Sequence, residues 1–181
     1  GQSNKARYMS KFKGSIVVGD SVTEGLSVYG WLSDDQVFSK IGSSVMTGDD
    51  LFSSAAGTYP STAFFAFGMN DMGNYRGDEK AFIKKYEARL KAFHKASPKT
   101  KICVCGISAP TDSAMAKNKS ISNYKKFNSA IKKMCAKNKY VYIPTADILQ
   151  KHPELYAGDG IHAQATYYPY WLDRMIEEAE L

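Results

Sequence analysis

The sequence predicts an α/β fold, a three-layer α/β/α sandwich built on a five-stranded parallel sheet. Short β-branched or aromatic runs alternate along the chain with apolar stripes at helical spacing. The helical stretches are longer than ten residues, the length that a crossover between parallel neighbours requires. One strand candidate, Thr62 to Phe67, is almost wholly apolar, as a strand covered on both faces would be.

The elements follow in order. After a polar lead-in over residues 1–13, Ser15-Ile16-Val17-Val18 reads as the first strand, ending at Gly19-Asp20-Ser21, and Val22 to Trp31 as the helix after it. Val37 to Ile41 reads as the second strand and Thr62 to Phe67 as the third. From Asp78 to Ala96, Phe82, Tyr86, Leu90 and Phe93 form one helical stripe that Ser97-Pro98 terminates. Lys101 to Gly106 is the fourth strand. Ser120 to Asn138 is a helix with Ile121, Tyr124, Phe127, Ile131 and Met134 inward and lysines outward. Tyr140 to Pro144 is the fifth strand, and the last helix runs from about Thr166 to Glu180.

A chain of 181 residues, 44% hydrophobic and 23% charged, suits one domain over residues 1–181, large enough to bury its own core. The formal charge of +6 comes largely from lysines such as Lys84-Lys85, Lys125-Lys126 and Lys132-Lys133. They fall among apolar residues at helical spacing, which makes them solvated helix faces and not the concentrated basic stripe of a nucleic-acid binder. Cys103, Cys105 and Cys135 are odd in number, and the first two lie two apart in a strand, facing the same way. They read as buried structural cysteines without a disulfide framework. No run approaches the length of a membrane span, and no hydrophobic signal core follows the polar start. The leading Gly1 in place of Met is compatible with a removed signal peptide, which leaves secreted and cytoplasmic locations both open.

Three short signals fall where such a sheet binds ligands, at strand carboxyl ends or in the loop before the last helix. They are Gly19-Asp20-Ser21, Gly68-Met69-Asn70-Asp71 and Asp159-Gly160-Ile161-His162. Each alone is an ordinary turn or helix cap. Together they supply what acyl transfer needs: a hydroxyl nucleophile (Ser21), a base (His162) and a carboxylate (Asp159) to fix the base's tautomer. Gly158 and Gly160 permit the turn that would bring Asp159 to Nδ1 of His162. Donors for the developing oxyanion would be the side-chain amide of Asn70, the backbone N–H of Ser21 and that of Gly42.

His94, on a helix, and His152, before Pro153, fit the base's role less well. Metal binding by His162 and Asp159 is a competing reading, but no further ligands stand at metal-site spacing. No phosphate-binding glycine motif follows the first strand. The rival class is a non-catalytic module that holds a ligand at the strand ends, with the same residues as turn formers. Met69, Met72 and Tyr75 near Asn70, and Ile161 beside His162, are candidates for a substrate pocket.

The segments Gly19-Asp20-Ser21-Val22-Thr23-Glu24-Gly25, Gly42, Gly68-Met69-Asn70-Asp71 and Asp159-Gly160-Ile161-His162, in this order, resemble the four signature blocks of the SGNH/GDSL hydrolases, and the match spans essentially the whole chain. The resemblance implies a flavodoxin-like fold with strand order 2-1-3-4-5 and ester hydrolysis without metal or organic cofactor. By position it makes Ser21 the nucleophile, Asp159 and His162 the rest of a triad, and Gly42 and Asn70 oxyanion donors. Family members often carry the second-block glycine a few residues later, where this chain has Ser43-Ser44-Val45, so the backbone donor is Gly42 or its neighbour Ser44 or Val45. The substrate class implied is a small ester of a short acyl or acetyl group, including acetylated saccharides.

Overall fold

The computed structural model describes residues 2–181. Its elements are α1 (Gln2–Lys11), β1 (Ser15–Gly19), α2 (Ser21–Val28), β2 (Val37–Ser39), α3 (Asp49–Ala56), β3 (Thr62–Ala66), α4 (Met69–Asn74), α5 (Glu79–Ala96), β4 (Lys101–Cys105), α6 (Asp112–Lys117), α7 (Tyr124–Asn138), β5 (Val141–Ile143), α8 (Ala146–Lys151) and α9 (Tyr168–Ala179). Short 3-10 turns precede β2, α7 and α9. The five strands form one sheet in the order β2-β1-β3-β4-β5, and every pairing is parallel. The order expected from the family resemblance is the order found.

Strand side chains alternate between two apolar clusters. Ile16, Val18, Ala63, Phe65, Ile102 and Val104 pack under α3, α5 and α7. On the other face Val17, Phe64, Cys103 and Cys105 pack under α1, α2, α8 and α9. All three cysteines are free and buried, with Cys135 under the first face and the other two under the second, and burial pushes the Cys103 and Cys135 thiols up to about 12. The lysine pairs of α5 and α7 face solvent, opposite the stripes of Phe82, Tyr86, Leu90 and Phe93 and of Phe127, Ile131 and Met134. Among the described residues no helix is long and apolar enough to cross a membrane.

The structure departs from the sequence reading in several places. The lead-in is a helix, and Tyr8 and Phe12, one turn apart, seat it in the core. Strand β2 stops at Ser39, and Ile41 stands 73% exposed beyond it. The helices α3, α4, α6 and α8 lie in segments to which the sequence reading assigns no helix; each is only six to eight residues long, too short for a periodic stripe to stand out.

At Gly25 the first turns of α2 touch α9. A side chain there would run into the ring of Tyr168, whose hydroxyl donates to the carbonyl of Val22 at 2.7 Å. Tyr168 is buried and cannot swing away. Gly25→Ala is therefore expected to lose about 1–3 kcal/mol of stability through overpacking. Urea unfolding checks this, and an unchanged midpoint would contradict the contact's importance.

Candidate active site

Strand β1 ends at Gly19, and Asp20 turns the chain into α2 by capping it: its carboxylate accepts from the N–H of Val22 at 3.1 Å. Ser21 is thus the first helical residue, with its hydroxyl at the carboxyl edge of the sheet and its N–H among the free donors of a helix start. Asp20 is buried, and burial pushes its carboxyl up to about 6 despite the opposing Val22 N–H and the charge of His162.

The segment from Ala157 to Ala163 is a closed turn. Ala157 N–H donates to the carbonyl of His162 at 2.8 Å, and Tyr156 bridges to Ala163. One oxygen of Asp159 accepts from the N–H groups of Ile161 (2.9 Å) and His162 (2.8 Å), while the other lies 2.5 Å from His162 Nδ1. Gly160 holds φ at 69° and presses so closely on Thr111 that no side chain fits there. Gly158 has neither property, so of the two glycines only Gly160 is needed for the turn. Burial pushes the Asp159 carboxyl up, but the bonds from the His162 ring and the two N–H groups outweigh it and hold it below the ordinary carboxylate value.

His162 Nε2 lies 3.0 Å from Ser21 Oγ. Hydroxyl, imidazole and carboxylate therefore form one hydrogen-bonded chain that joins Ser21 to a histidine 141 positions later in the sequence, with the ring roughly half exposed. An imidazole fixed through Nδ1 by a carboxylate presents Nε2 as proton acceptor to the hydroxyl, which makes the hydroxyl a nucleophile. The other histidines stand apart from it. His94 is exposed on α5, and His152 packs against Tyr170 with ring centroids 4.5 Å apart and the planes tilted by 39°.

Asn70 lies in the first turn of α4, after β3, the neighbour of β1 in the sheet. One N–H of its amide donates to the carbonyl of Ser43 at 2.9 Å, leaving the second for another acceptor. That bond ties Asn70 to the loop after β2 that carries Gly42 at φ 78°. Within this loop Ser43 N–H donates to Lys40 and Val45 N–H to Asp71; no protein acceptor is found, among the described residues, for the N–H groups of Gly42 and Ser44. Val45 is thereby removed from the three candidate backbone donors. Met69 and Ile161 flank a small cleft next to the Ser21–His162 pair, whereas Met72 is fully buried core and Tyr75 packs on Phe82.

A model described as GDSL-like Lipase/Acylhydrolase family matches residues 17–168, from within β1 to the start of α9. The chain belongs to this family. As a member of a lipase/acylhydrolase family, this chain is an ester-bond hydrolase. Solved structures with the same fold include a GDSL-like lipase from Bacteroides thetaiotaomicron (TM-score 0.68, 16% identity, covering 99% of this chain and 100% of that one). They also include the acetyl xylan esterase AlAXEase (0.69, 18%, 90% and 98%) and a carbohydrate esterase family 3 protein from Talaromyces cellulolyticus (0.68, 14%, 92% and 95%). No curated protein matches the sequence.

Asp71, the last residue of the third signature block, had no role in the sequence reading. It is fully buried, and both its oxygens accept from Val45 N–H, at 3.0 and 3.2 Å. Burial pushes its carboxyl up to about 7, only partly offset by the N–H groups of Val45 and Met46. A carboxyl raised on folding binds its proton more tightly in the native state, so its contribution is largest at low pH and is lost as pH rises from about 4 to about 7. The stability of the wild type minus that of Asp71→Asn should therefore fall across this window in denaturant titrations at fixed ionic strength. A difference independent of pH would contradict the assignment.

Proposed function

We propose that the protein is a serine esterase that removes short acyl groups, acetyl above all, from a larger alcohol such as a saccharide. Ser21 Oγ attacks the ester carbonyl as His162 Nε2 takes its proton. The oxyanion is held by the N–H of Ser21, the second N–H of Asn70 and a backbone N–H at Gly42 or Ser44. His162 then returns the proton to the leaving alcohol, and a water molecule, activated by the same ring, hydrolyses the acyl-enzyme. Asp159 keeps the imidazole in the tautomer that serves both steps. The observation that carries this reading is the unbroken chain Ser21 Oγ to His162 Nε2 at 3.0 Å and His162 Nδ1 to Asp159 at 2.5 Å.

The substrate class is supported by two unequal spaces. A cleft of about 50 Å³ opens between Asp20, Val22, Met69, Ile107, Ile161 and Trp171, beside the neighbours of Ser21, Asn70 and His162. It has room for a few water-sized groups, which suits a short acyl chain. A separate groove of about 480 Å³ is lined by Ser21, Val28, Tyr29, Ile41, His162 and Tyr168. The alcohol leaves on the side of the base that protonates it, so this groove takes the alcohol. Val28 and Ile41, 68% and 73% exposed, give it an apolar rim, and Tyr29 offers a ring face to a flat or ring-shaped group. That two solved structures with this fold carry the names acetyl xylan esterase and carbohydrate esterase favours the same substrate class.

Nitrophenyl esters of increasing acyl length test both parts at once. The wild type should turn over the acetate fastest and lose kcat/KM steeply beyond butyrate, and Ser21→Ala should lose about 10³-fold or more in kcat while remaining folded. Unchanged turnover by Ser21→Ala would overturn the mechanism. A preference for octanoate would overturn the acyl assignment.

A further inference from the structure

The loop between β2 and α3 carries the candidate backbone donors of the oxyanion site, yet its residues 40–48 form no helix or strand. What fixes it is a set of side chains arriving from two sides. From the side of the sheet ends, Ser43 Oγ donates to the carbonyl of Gly19 at 3.1 Å, Asn70 to that of Ser43, Asn74 to Ser44 Oγ at 3.1 Å, and Asp71 accepts from Val45 N–H. From the opposite side comes Arg89, in the middle of α5. Its Nε donates to the carbonyl of Val45, its Nη2 to that of Met46 at 3.0 Å, and its Nη1 pairs with Asp49 at 2.5 Å. The guanidinium sits 5.9 Å from the Phe52 ring centroid, and the side chain is only 9% exposed.

Val45 is thus gripped at both ends, its N–H by Asp71 and its carbonyl by Arg89. The surroundings mark the residue as chosen for its shape. α5 otherwise carries lysines at positions 80, 84, 85, 91 and 95, all solvent-facing, and only an arginine's planar fork can reach three acceptors in fixed directions. Resting on the reading of Ser21 and its oxyanion site given above, we propose that Arg89 is a positioning residue for the reaction: it fixes the loop so that the free N–H at Gly42 or Ser44 stays aimed at the oxyanion. Arg89 touches no substrate. It acts through Val45 and Met46, and its effect is felt where charge develops on the carbonyl oxygen, because a preorganised donor stabilises the transition state and not the bound ester.

Arg89→Lys keeps the charge and removes the fork. In steady-state hydrolysis of nitrophenyl acetate, its kcat should fall about 10- to 100-fold with KM held within about twofold. The affinity for a trifluoromethyl ketone, whose hydrated or serine-bound form mimics the oxyanion, should fall by the same factor as kcat/KM. Lys85→Gln, on the same helix and facing solvent, should behave as wild type. Near-ultraviolet circular dichroism and melting curves give the folded fraction of each variant. Arg89→Gln, which retains one donor for the Val45 carbonyl, is read in the same way if Arg89→Lys melts below the assay temperature. A folded variant with kcat within about twofold of wild type overturns the proposal, as does a loss that merely tracks the folded fraction or appears in KM alone. The two readings fail separately: turnover by Ser21→Ala removes the nucleophile assignment, whereas an unaffected Arg89 variant beside an inactive Ser21→Ala removes only the positioning role.

Discussion

Parallel pairing of every strand is the constraint on which the rest of this structure depends. It obliges each strand to be followed by a crossover, so all five carboxyl ends and the loops that leave them gather at one edge of the sheet. The in-register pairing of β1 with β3, Gly19 opposite Ala66, then sets Ser21 and Asn70 on neighbouring loops at that edge. The order reverses at this point, with β2 to one side of β1 and β3 to the other, and the crevice between diverging crossovers is where α/β sheets bind ligands. The turn bearing Asp159 and His162 reaches the same edge from just before α9, which packs on α2 through Tyr168 and Gly25.

Buried polar groups do the finer placement. A carboxylate taken out of water must find donors or keep its proton. Asp20 and Asp71 have both been taken out of water, and each accepts from a backbone N–H at the edge of the site: Val22 in the first turn of α2, next to Ser21, and Val45 in the loop after β2. Their raised carboxyls record the cost of that placement. Asp159 differs in being half exposed and triply bonded, and its carboxyl is held low, which suits a group that must remain an anion beside an imidazole. Three aspartates with three environments therefore divide the work of capping, bracing and orienting.

Much of this was legible in the sequence, for identifiable reasons. The strands and the long helices α5 and α7 announce themselves through buried stripes such as Phe82-Tyr86-Leu90-Phe93. Ser21, Asp159 and His162 could be singled out because they sit in short motifs at strand or helix boundaries, and the structure brings them into one hydrogen-bonded chain. Helices α3, α4, α6 and α8 were hidden because six to eight residues show barely two turns of pattern, although the acidic Asp49-Asp50 start of α3 was an available signal, as was the Tyr8-Phe12 spacing at the end of the longer α1. Arg89 and the bracing role of Asp71 were not legible at all. They act on a loop 26 to 44 positions away, a relation that only the folded chain displays.

The central claim is that Ser21 is the group that becomes acylated. Treating the native protein with a fluorophosphonate, and locating the adduct by mass spectrometry of its peptides, tests that claim without reference to any substrate. One covalent phosphonyl group per chain on Ser21, with labelling abolished in His162→Ala, is the predicted result. An unlabelled protein, or an adduct on another residue, would contradict it.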